Sequence, residues 1–154
     1  MDIMNDFTNT FHIHVGSWND ISERAMQVRM MVFVKEQGVP VALERDSFDL
    51  VSQHVLAFDR NGKTIGTGRL LHDGHIGRMA VLPEWRGKGV GTALLGKLIE
   101  TAEAHGVQKL ALNAQLGAVA FYARFGFLPV GSEFIEAGIL HITMIRHLTM
   151  AKPL

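Results

Sequence analysis

Cysteine is missing from this sequence of 154 residues. Its absence excludes disulfide bonds, thiol nucleophiles and thiolate metal sites, and it suits a reducing compartment. No apolar run approaches the ~20 residues that a membrane-spanning helix needs. The first ten residues are polar and lack the basic and apolar regions of a signal peptide. We therefore expect a cytoplasmic protein with no membrane partner.

Net charge is missing as well, because fifteen acidic residues balance fifteen basic ones. No global field would attract nucleic acid or an anionic membrane, so any ligand must be recognised at a local site. The chain is 47% hydrophobic, and its length suits one core rather than two. The composition therefore predicts a single domain over residues 1–154 that does not bind nucleic acid.

The most informative stretch present is a turn rich in glycine and cations, between an apolar strand and an amphipathic helix. It contains Arg86, Gly87, Lys88, Gly89, Val90, Gly91 and Thr92. A turn that opens a helix presents free backbone N–H groups and the helix dipole to a phosphate. The glycines remove the Cβ atoms that would keep a pyrophosphate from the backbone. This turn therefore predicts a phosphorylated cofactor.

The glycine spacing decides between cofactors. A dinucleotide fingerprint, G-x-G-x-x-G/A, fails in both registers because Thr92 or Leu94 stands at its last position. A P-loop requires Gly-Lys-Ser/Thr, which does not occur. The pattern Arg/Gln-x-x-Gly-x-Gly/Ala is met by Arg86, Gly89 and Gly91. Together with the preceding strand, Met79 to Pro83, it resembles the coenzyme A loop of the GCN5-related N-acetyltransferases (GNAT).

The predicted elements follow one another in the order that this family has. Helical spacing, alternation, and Asn-Gly and Asp-Gly turns predict a strand, a helix, a meander of three strands, a helix, a strand, a helix and a hairpin. The ranges are 11–16, 21–34 (capped by Asn19-Asp20), 51–59, 63–71, 75–82, 89–105, 109–113, 118–125, 127–136 and 139–148. They predict an α/β (α+β) fold with a mixed, mostly antiparallel sheet and helices on both faces.

The resemblance implies an enzyme that moves an acetyl group from acetyl-coenzyme A to a primary amine, by direct attack in a ternary complex. The pantetheine arm would pair with the strand residues Met79, Ala80 and Val81. A bulge there would turn the N–H of Met79 or Val81 toward the thioester carbonyl. Asn113 would contact the pantetheine, and Arg124 would contact a phosphate.

Tyr122 is the single tyrosine, and it lies in a Phe-Tyr-x-x-x-Gly-Phe pattern that matches the family's general acid. A phenol with a pKa near ~10 stays protonated at neutral pH and can donate to a forming thiolate. A half-buried aromatic with a locally satisfied hydroxyl is the alternative. A non-catalytic module that binds or senses acyl-coenzyme A is the alternative function, and it would have no need of this acid.

The general base stays open between four residues: Glu44, Asp46, His75 and His141. Glu44 and His141 are carried forward as catalytic candidates, although lone histidines on strands are usually satisfied surface or core groups. The absence of cysteine and of a His-x-x-x-His helix spacing predicts no metal.

A narrower resemblance lies on the acceptor side. The run from Phe33 to Pro40 resembles the ElaA-like branch of the family, as does Gly138 to His141, although Leu140 stands where proline is expected. Two interpretations are open for the acidic residues from Glu36 to Asp49. They either attract a cationic amine, from a small molecule or a peptide, or merely solvate a surface loop. The exposed edges of the closing hairpin would suit a homodimer.

Overall fold

The computed structural model describes residues 10–148, which form a seven-stranded sheet in the order β1-β2-β3-β4-β5-β7-β6. The strands are β1 (Phe11–Gly16), β2 (Gln53–Asp59), β3 (Thr64–Leu70), β4 (His75–Val81), β5 (Lys109–Gln115), β6 (Leu128–Glu136) and β7 (Ile139–His147). Every neighbouring pair is antiparallel except β4 and β5. The predicted mixed, mostly antiparallel sheet is confirmed, and its strand bounds are right to within two residues.

Three α-helices accompany the sheet: α1 (Trp18–Arg29), α2 (Val90–Ala104) and α3 (Val119–Ala123). The prediction that Asn19-Asp20 caps the first helix is wrong, because Ser17 is its N-cap. Asp20 lies inside the first turn and accepts a hydrogen bond from Ser17 Oγ at 3.0 Å, where its charge complements the helix dipole. The segment after Arg29 continues as a π-helix, Met30–Glu36.

The helices cover both faces of the sheet. Alternation along β2 sends Leu56 to one face and Val55 to the other. Leu56 packs in a cluster with Trp18 and Ile21 of α1. A Cβ placed on Gly68 of β3 would meet both Val55 and Leu98 of α2, which puts α2 on the opposite face. The predicted placement of helices on both faces is confirmed.

The parallel pair β4 and β5 is joined by α2 and pairs only near its beginning. His75 pairs with Ala111 and Ile76 with Leu112, and no further pair follows. β5 instead keeps β7 as its partner from Lys109 to Gln115. Because β4 stays with β3 while β5 stays with β7, the sheet opens into a cleft between β4 and β5.

A β-bulge interrupts β4 where it borders this cleft. Thr67 of β3 pairs with Ala80 and Arg69 pairs with Gly77, so Arg78 and Met79 together face Gly68. Arg78 has a φ of 52°, in the left-handed region. A bulge leaves an extra residue outside the ladder, which is the feature that the resemblance implied for this strand.

Within residues 10–148, none of the helices is both long and apolar enough to cross a membrane.

Candidate active site

The glycine-rich loop lies between the end of β4 and the first turn of α2. A 3₁₀ turn, Pro83–Trp85, leads into it. Gly87 and Gly89 have φ values of 75° and 86°, which favour glycine, and a Cβ on either would meet no atom within 4 Å. Since α2 begins at Val90, the N–H groups of its first turn have no acceptor within the helix. Open space in front of such donors fits a pyrophosphate.

The cations of this loop are already engaged. Arg86 donates two hydrogen bonds to the Glu36 carboxylate, at 2.7 and 2.6 Å, and one from Nε to the Val81 carbonyl at 3.1 Å. Hydrogen bonding from Arg86 holds the pKa of Glu36 below its usual value. Lys88 Nζ lies 5.2 Å from the centroid of the Trp85 ring. Glu36 therefore offsets most of the charge of Arg86, and the backbone N–H groups of the first helical turn are the main donors that the loop leaves for phosphate.

A cleft of about 900 Å³ separates β4 from β5. The predicted site residues on its lining are Glu44, Asp46, His75, Met79, Ala80, Val81, Arg86, Gly91, Asn113, Tyr122 and His141. The others do not line it: Gly87, Lys88, Gly89, Val90, Thr92 and Arg124. The loop residues among these are neighbours in sequence of Arg86 and Gly91, which do line it. The guanidinium of Arg124 stacks over the Phe121 ring at 5.8 Å.

The bulged part of β4 forms one wall of the cleft. Gly68 makes room for it, since a methyl group there would come within 2.6 Å of Met79 Sδ. Asn113 lies across the cleft on β5, where its Oδ1 accepts a hydrogen bond from Thr143 Oγ1 at 2.9 Å. An extended substrate arm can therefore pass between the bulged strand and β5.

Tyr122 lies on the short helix α3 and reaches the cleft. Its ring packs edge-on against Phe121 and Phe127, with centroid distances of 5.1 and 6.1 Å. Burial raises the pKa of the Tyr122 hydroxyl to about 12. The phenol therefore keeps its proton at neutral pH and is available as a donor.

Glu44 also lines the cleft. The residue is only 3% exposed, and its Oε1 atom is buried with no hydrogen-bond partner among residues 10–148. Arg78 Nε is 3.6 Å from that oxygen, too far for a hydrogen bond. Burial raises the pKa of Glu44, although the nearby charges of Arg78 and Arg29 oppose the shift. A desolvated carboxylate of this kind is well suited to accept a proton.

The two histidine candidates differ in setting. His141 is 7% exposed, and its Nδ1 lies 2.7 Å from the Ile139 carbonyl. Because a carbonyl only accepts, Nδ1 carries a proton, and Nε2 of the neutral ring is left as the acceptor. His75 is over half exposed in its side chain and pairs with Asp73 at 2.9 Å. Within the described residues, no group of three or more His, Asp or Glu could hold a metal ion.

The acidic loop is neither a free acidic patch nor a solvated surface run. Each of its carboxylates meets an arginine: Glu36 meets Arg86, Glu44 meets Arg78, Asp46 meets Arg69 and Arg78, and Asp49 meets Arg29 and Arg69. Asp49 and Arg29 are almost fully buried. Since three arginines of α1, β3 and β4 balance three acidic residues of the loop, long-range attraction of a cationic amine is not its role.

Sequence reasoning missed this ion network and two contacts across the cleft. Arg69 lies in β3, every residue of which is buried, and a buried cation requires a paired anion. That requirement was the available signal for the network. The contacts that Glu36 makes with Arg86 and Gln37 makes with Gln115 join segments 50 and 78 residues apart. No local sequence pattern predicts contacts between residues so far apart in the chain.

Comparison with known proteins agrees with this geometry. A family model described as an acetyltransferase (GNAT) domain matches residues 19–148. The N-acetyltransferase YjcF of Bacillus subtilis (strain 168) is 38% identical over 126 residues, which cover 79% of this chain and 89% of YjcF. Protein ElaA of Escherichia coli (strain K12) is 34% identical over 134 residues, covering 82% of this chain and 87% of ElaA.

Solved structures give the same result. The crystal structure of Escherichia coli ElaA superposes with a TM-score of 0.79 and 31% identity, over 88% of this chain and 99% of that one. An acyl-CoA N-acyltransferase from Pseudomonas aeruginosa superposes with a TM-score of 0.78 and 32% identity, over 89% and 99% of the two chains. The fold, the glycine loop and the extent of these matches establish that the chain belongs to the GNAT family of N-acetyltransferases and is related to ElaA.

Proposed function

We propose that this protein transfers an acetyl group from acetyl-coenzyme A to a primary amine, by direct attack in a ternary complex. One observation carries the proposal. A single cleft is lined by a bulged strand, a protonated phenol and a desolvated carboxylate, and it lies beside a glycine loop with free N–H groups. These are the groups that acyl transfer from a thioester requires.

Two parts of the cleft bind acetyl-coenzyme A. The pyrophosphate lies at the N–H groups of Gly89, Val90, Gly91 and Thr92, where the αL glycines keep the approach open and the helix dipole favours negative charge. The pantetheine arm lies between Met79–Val81 and Asn113. At the bulge, the N–H of Met79 or Val81 donates to the thioester carbonyl and stabilises the oxyanion.

The chemical step requires one acid and one base. The amine nitrogen attacks the carbonyl carbon, and the C–S bond then breaks. Tyr122 gives its proton to the departing thiolate, and the amine gives its surplus proton to the base. Direct attack is favoured because the chain has no cysteine and no serine in a nucleophile elbow that could carry the acyl group.

Glu44 is the preferred base. Its raised pKa and its place on the cleft lining support this role. His141 is the second candidate, because the Nδ1 contact with Ile139 leaves Nε2 as the acceptor. Glu136 Oε2 lies 3.7 Å from that Nε2 and would stabilise the proton it takes up. The acceptor is a small-molecule or peptide amine, and its proton reaches the base directly or through one water.

The alternative is a non-catalytic module that binds or senses acyl-coenzyme A. Such a module would need the glycine loop alone. A protonated Tyr122 and a desolvated Glu44 on the same cleft favour the enzyme over the sensor.

Calorimetric titration with acetyl-coenzyme A tests the proposal, with NAD and ATP as controls. We expect micromolar binding of acetyl-coenzyme A alone. Gly89→Asp and Gly91→Asp are expected to abolish it, because each adds bulk and negative charge where the pyrophosphate lies. Thiol release in an amine-library screen then separates the enzyme from the sensor. A folded protein that does not bind acetyl-coenzyme A would refute both readings.

We also propose that the protein is cytoplasmic and forms a homodimer. The absence of cysteine suits the cytoplasm. A homodimer through the outer edge of β6 is supported by its place at the end of the sheet and by Leu128 and Ile135, which are 68% and 71% exposed. Sedimentation velocity of the wild type and of Ile135→Lys checks it, and a monomer in both contradicts it.

A further inference from the structure

The run from Phe33 to Pro40 has no part in the chemistry proposed above. It begins within the π-helix, whose last residue is Glu36. The chain then turns sharply, because Gln37 N donates to Val32 O at 3.0 Å and Val39 N donates to Phe33 O at 2.8 Å. Phe33, Gln37 and Val39 of this segment line the cleft. The segment therefore forms a wall of the cleft, and the contacts that Glu36 and Gln37 make set the position of that wall.

Glu36 ties this wall to the cofactor loop. The fork of Arg86 and the Glu36 carboxylate form two parallel hydrogen bonds of 2.6 and 2.7 Å. Both side chains are about two-fifths exposed, and exposed pairs contribute little stability. A bidentate pair does fix geometry. The pair of Glu36 and Arg86 therefore orients the wall against the cofactor loop and adds little to the stability of the fold.

Gln37 ties the same wall to the other side of the cleft. Its side-chain amide exchanges two hydrogen bonds with that of Gln115, at 2.9 and 3.5 Å. Gln115 is the last residue of β5, whereas Arg86 follows β4. Adjacent residues of one turn thus hold both edges of the opening between β4 and β5.

We infer that Glu36 and Gln37 form a two-point clasp that holds this wall at a fixed position across the cleft, where it limits how the amine can be placed. They are positioning residues that act through Arg86 and Gln115. This inference rests on the proposed transferase function, since the wall it positions lines the cleft in which the amine would reach the thioester.

The clasp affects the two substrates in opposite directions. Glu36 neutralises the charge that Arg86 would otherwise offer to a phosphate, and only two of the five guanidinium N–H donors stay free. Removing the Glu36 charge therefore favours the anionic donor. The same change releases the wall and weakens the binding of the amine.

Glu36→Gln, Gln37→Met and Gln115→Met test the clasp. Glu100→Gln is the matched control, because Glu100 is an exposed acid of α2 that pairs with Lys97, outside the glycine loop. Glu84 would not serve, since its charge also acts on Arg86. We expect Glu36→Gln to tighten acetyl-coenzyme A binding about 2- to 5-fold in calorimetry. We expect the KM of the amine found in the library screen to rise at least about fivefold, with kcat changing less. The control should leave both values unchanged.

The glutamine pair gives a second, independent readout. Each methionine variant should raise the KM of the amine, and the double variant should be no worse than either single one, since the pair acts as a unit. Additive effects, or an unchanged KM in all clasp variants, would overturn the inference. So would weaker acetyl-coenzyme A binding by Glu36→Gln, since Glu36 would then serve to orient Arg86 for phosphate.

Hydrogen–deuterium exchange decides the matter if no amine is acetylated. The clasp predicts faster exchange of the 30–38 backbone in Glu36→Gln and Gln37→Met than in the wild type and in Glu100→Gln. Equal exchange in all four proteins would overturn it. The proposed function instead fails when the wild type neither binds acetyl-coenzyme A nor releases thiol, so the two failures can be told apart.

Discussion

Burial raises the pKa of two residues of the cleft that have opposite proposed roles, one as acid and one as base. It raises the pKa of Tyr122 to about 12, which keeps a proton on the acid. It also raises the pKa of Glu44, which makes that carboxylate a better base. The same physical cause, desolvation of the charged form, therefore strengthens Glu44 as a proton acceptor. It keeps Tyr122 fully protonated but makes the phenol a weaker acid, so Tyr122 donates only as negative charge develops on the departing sulfur.

Tyr122→Phe is expected to lower kcat by ~10²- to 10⁴-fold, the range for one general acid. The affinity for acetyl-coenzyme A should stay nearly unchanged, because the ring and its packing on Phe121 and Phe127 are kept. Thiol-release kinetics and calorimetry measure the two quantities. Phe121→Leu is the packing control, and an unchanged kcat in Tyr122→Phe would mean that water protonates the thiolate.

Glu44 predicts the pH dependence of the reaction. A base must be ionised, so kcat/KM should fall as the pH falls through the raised pKa of Glu44. Glu44→Gln should remove that acid limb along with most of the activity, whereas His141→Gln should keep it. A pH–rate profile of the three proteins checks this. A limb lost in His141→Gln but kept in Glu44→Gln would assign the base to His141.

The ionised Glu44 carboxylate also lowers the stability of the fold at neutral pH. Because its pKa is higher in the folded state than in the unfolded state, its contribution is most favourable below the unfolded pKa and is lost as the pH rises through the folded one. At pH 7 the ionised form is therefore unfavourable, and Glu44→Gln should increase the free energy of unfolding there. Urea unfolding at pH 7 would show the opposite sign if Arg78 outweighed desolvation.

At the scale of elements, buried charges join the acidic loop to the fold. Asp49 receives hydrogen bonds from Arg29 at 3.0 and 3.1 Å and from Arg69 at 3.0 Å. Arg69 and Arg78 in turn hold Asp46. The loop therefore lies against α1, β3 and β4 through paired charges, and this arrangement brings Glu44 to the cleft.

Asp49→Asn should destabilise the fold by ~3–5 kcal/mol, since it leaves the charge of Arg29 buried without its anion. The midpoint of urea unfolding measures the loss. Lys97→Met is the matched control, because its exposed pair with Glu100 contributes ~1 kcal/mol or less. A loss in Asp49→Asn no larger than that of the control would contradict the prediction.

At the scale of the whole molecule, the sheet separates between β4 and β5 and makes room for a long ligand. A ligand that binds only the folded state stabilises it by ~2.7 kcal/mol at a concentration of one hundred times its Kd. For a chain of this size that corresponds to a rise in Tm of roughly 5–10 °C. Acetyl-coenzyme A should produce it, and NAD, ATP and the Gly89→Asp protein should not. An equal shift with ATP would point to a nucleotide site instead.

Local patterns determined much of this protein from its sequence. Asn-Gly and Asp-Gly turns fix the meander through backbone geometry, and apolar spacing fixes the buried face of α2. The glycine loop limits what can approach the first turn of that helix. These features depend on neighbours in the chain, so one sequence suffices to find them, and with the family resemblance they led to the fold.

The tertiary structure alone decided the rest. The splay after Ile76, the partners of Arg69 and Arg78, and the contacts of Glu36 and Gln37 join segments tens of residues apart. Burial sets the pKa values of Glu44 and Tyr122, and burial is a property of what packs around a residue. A sequence names the groups that can ionise or donate, whereas only the packed chain fixes which of them meet and how much water they keep.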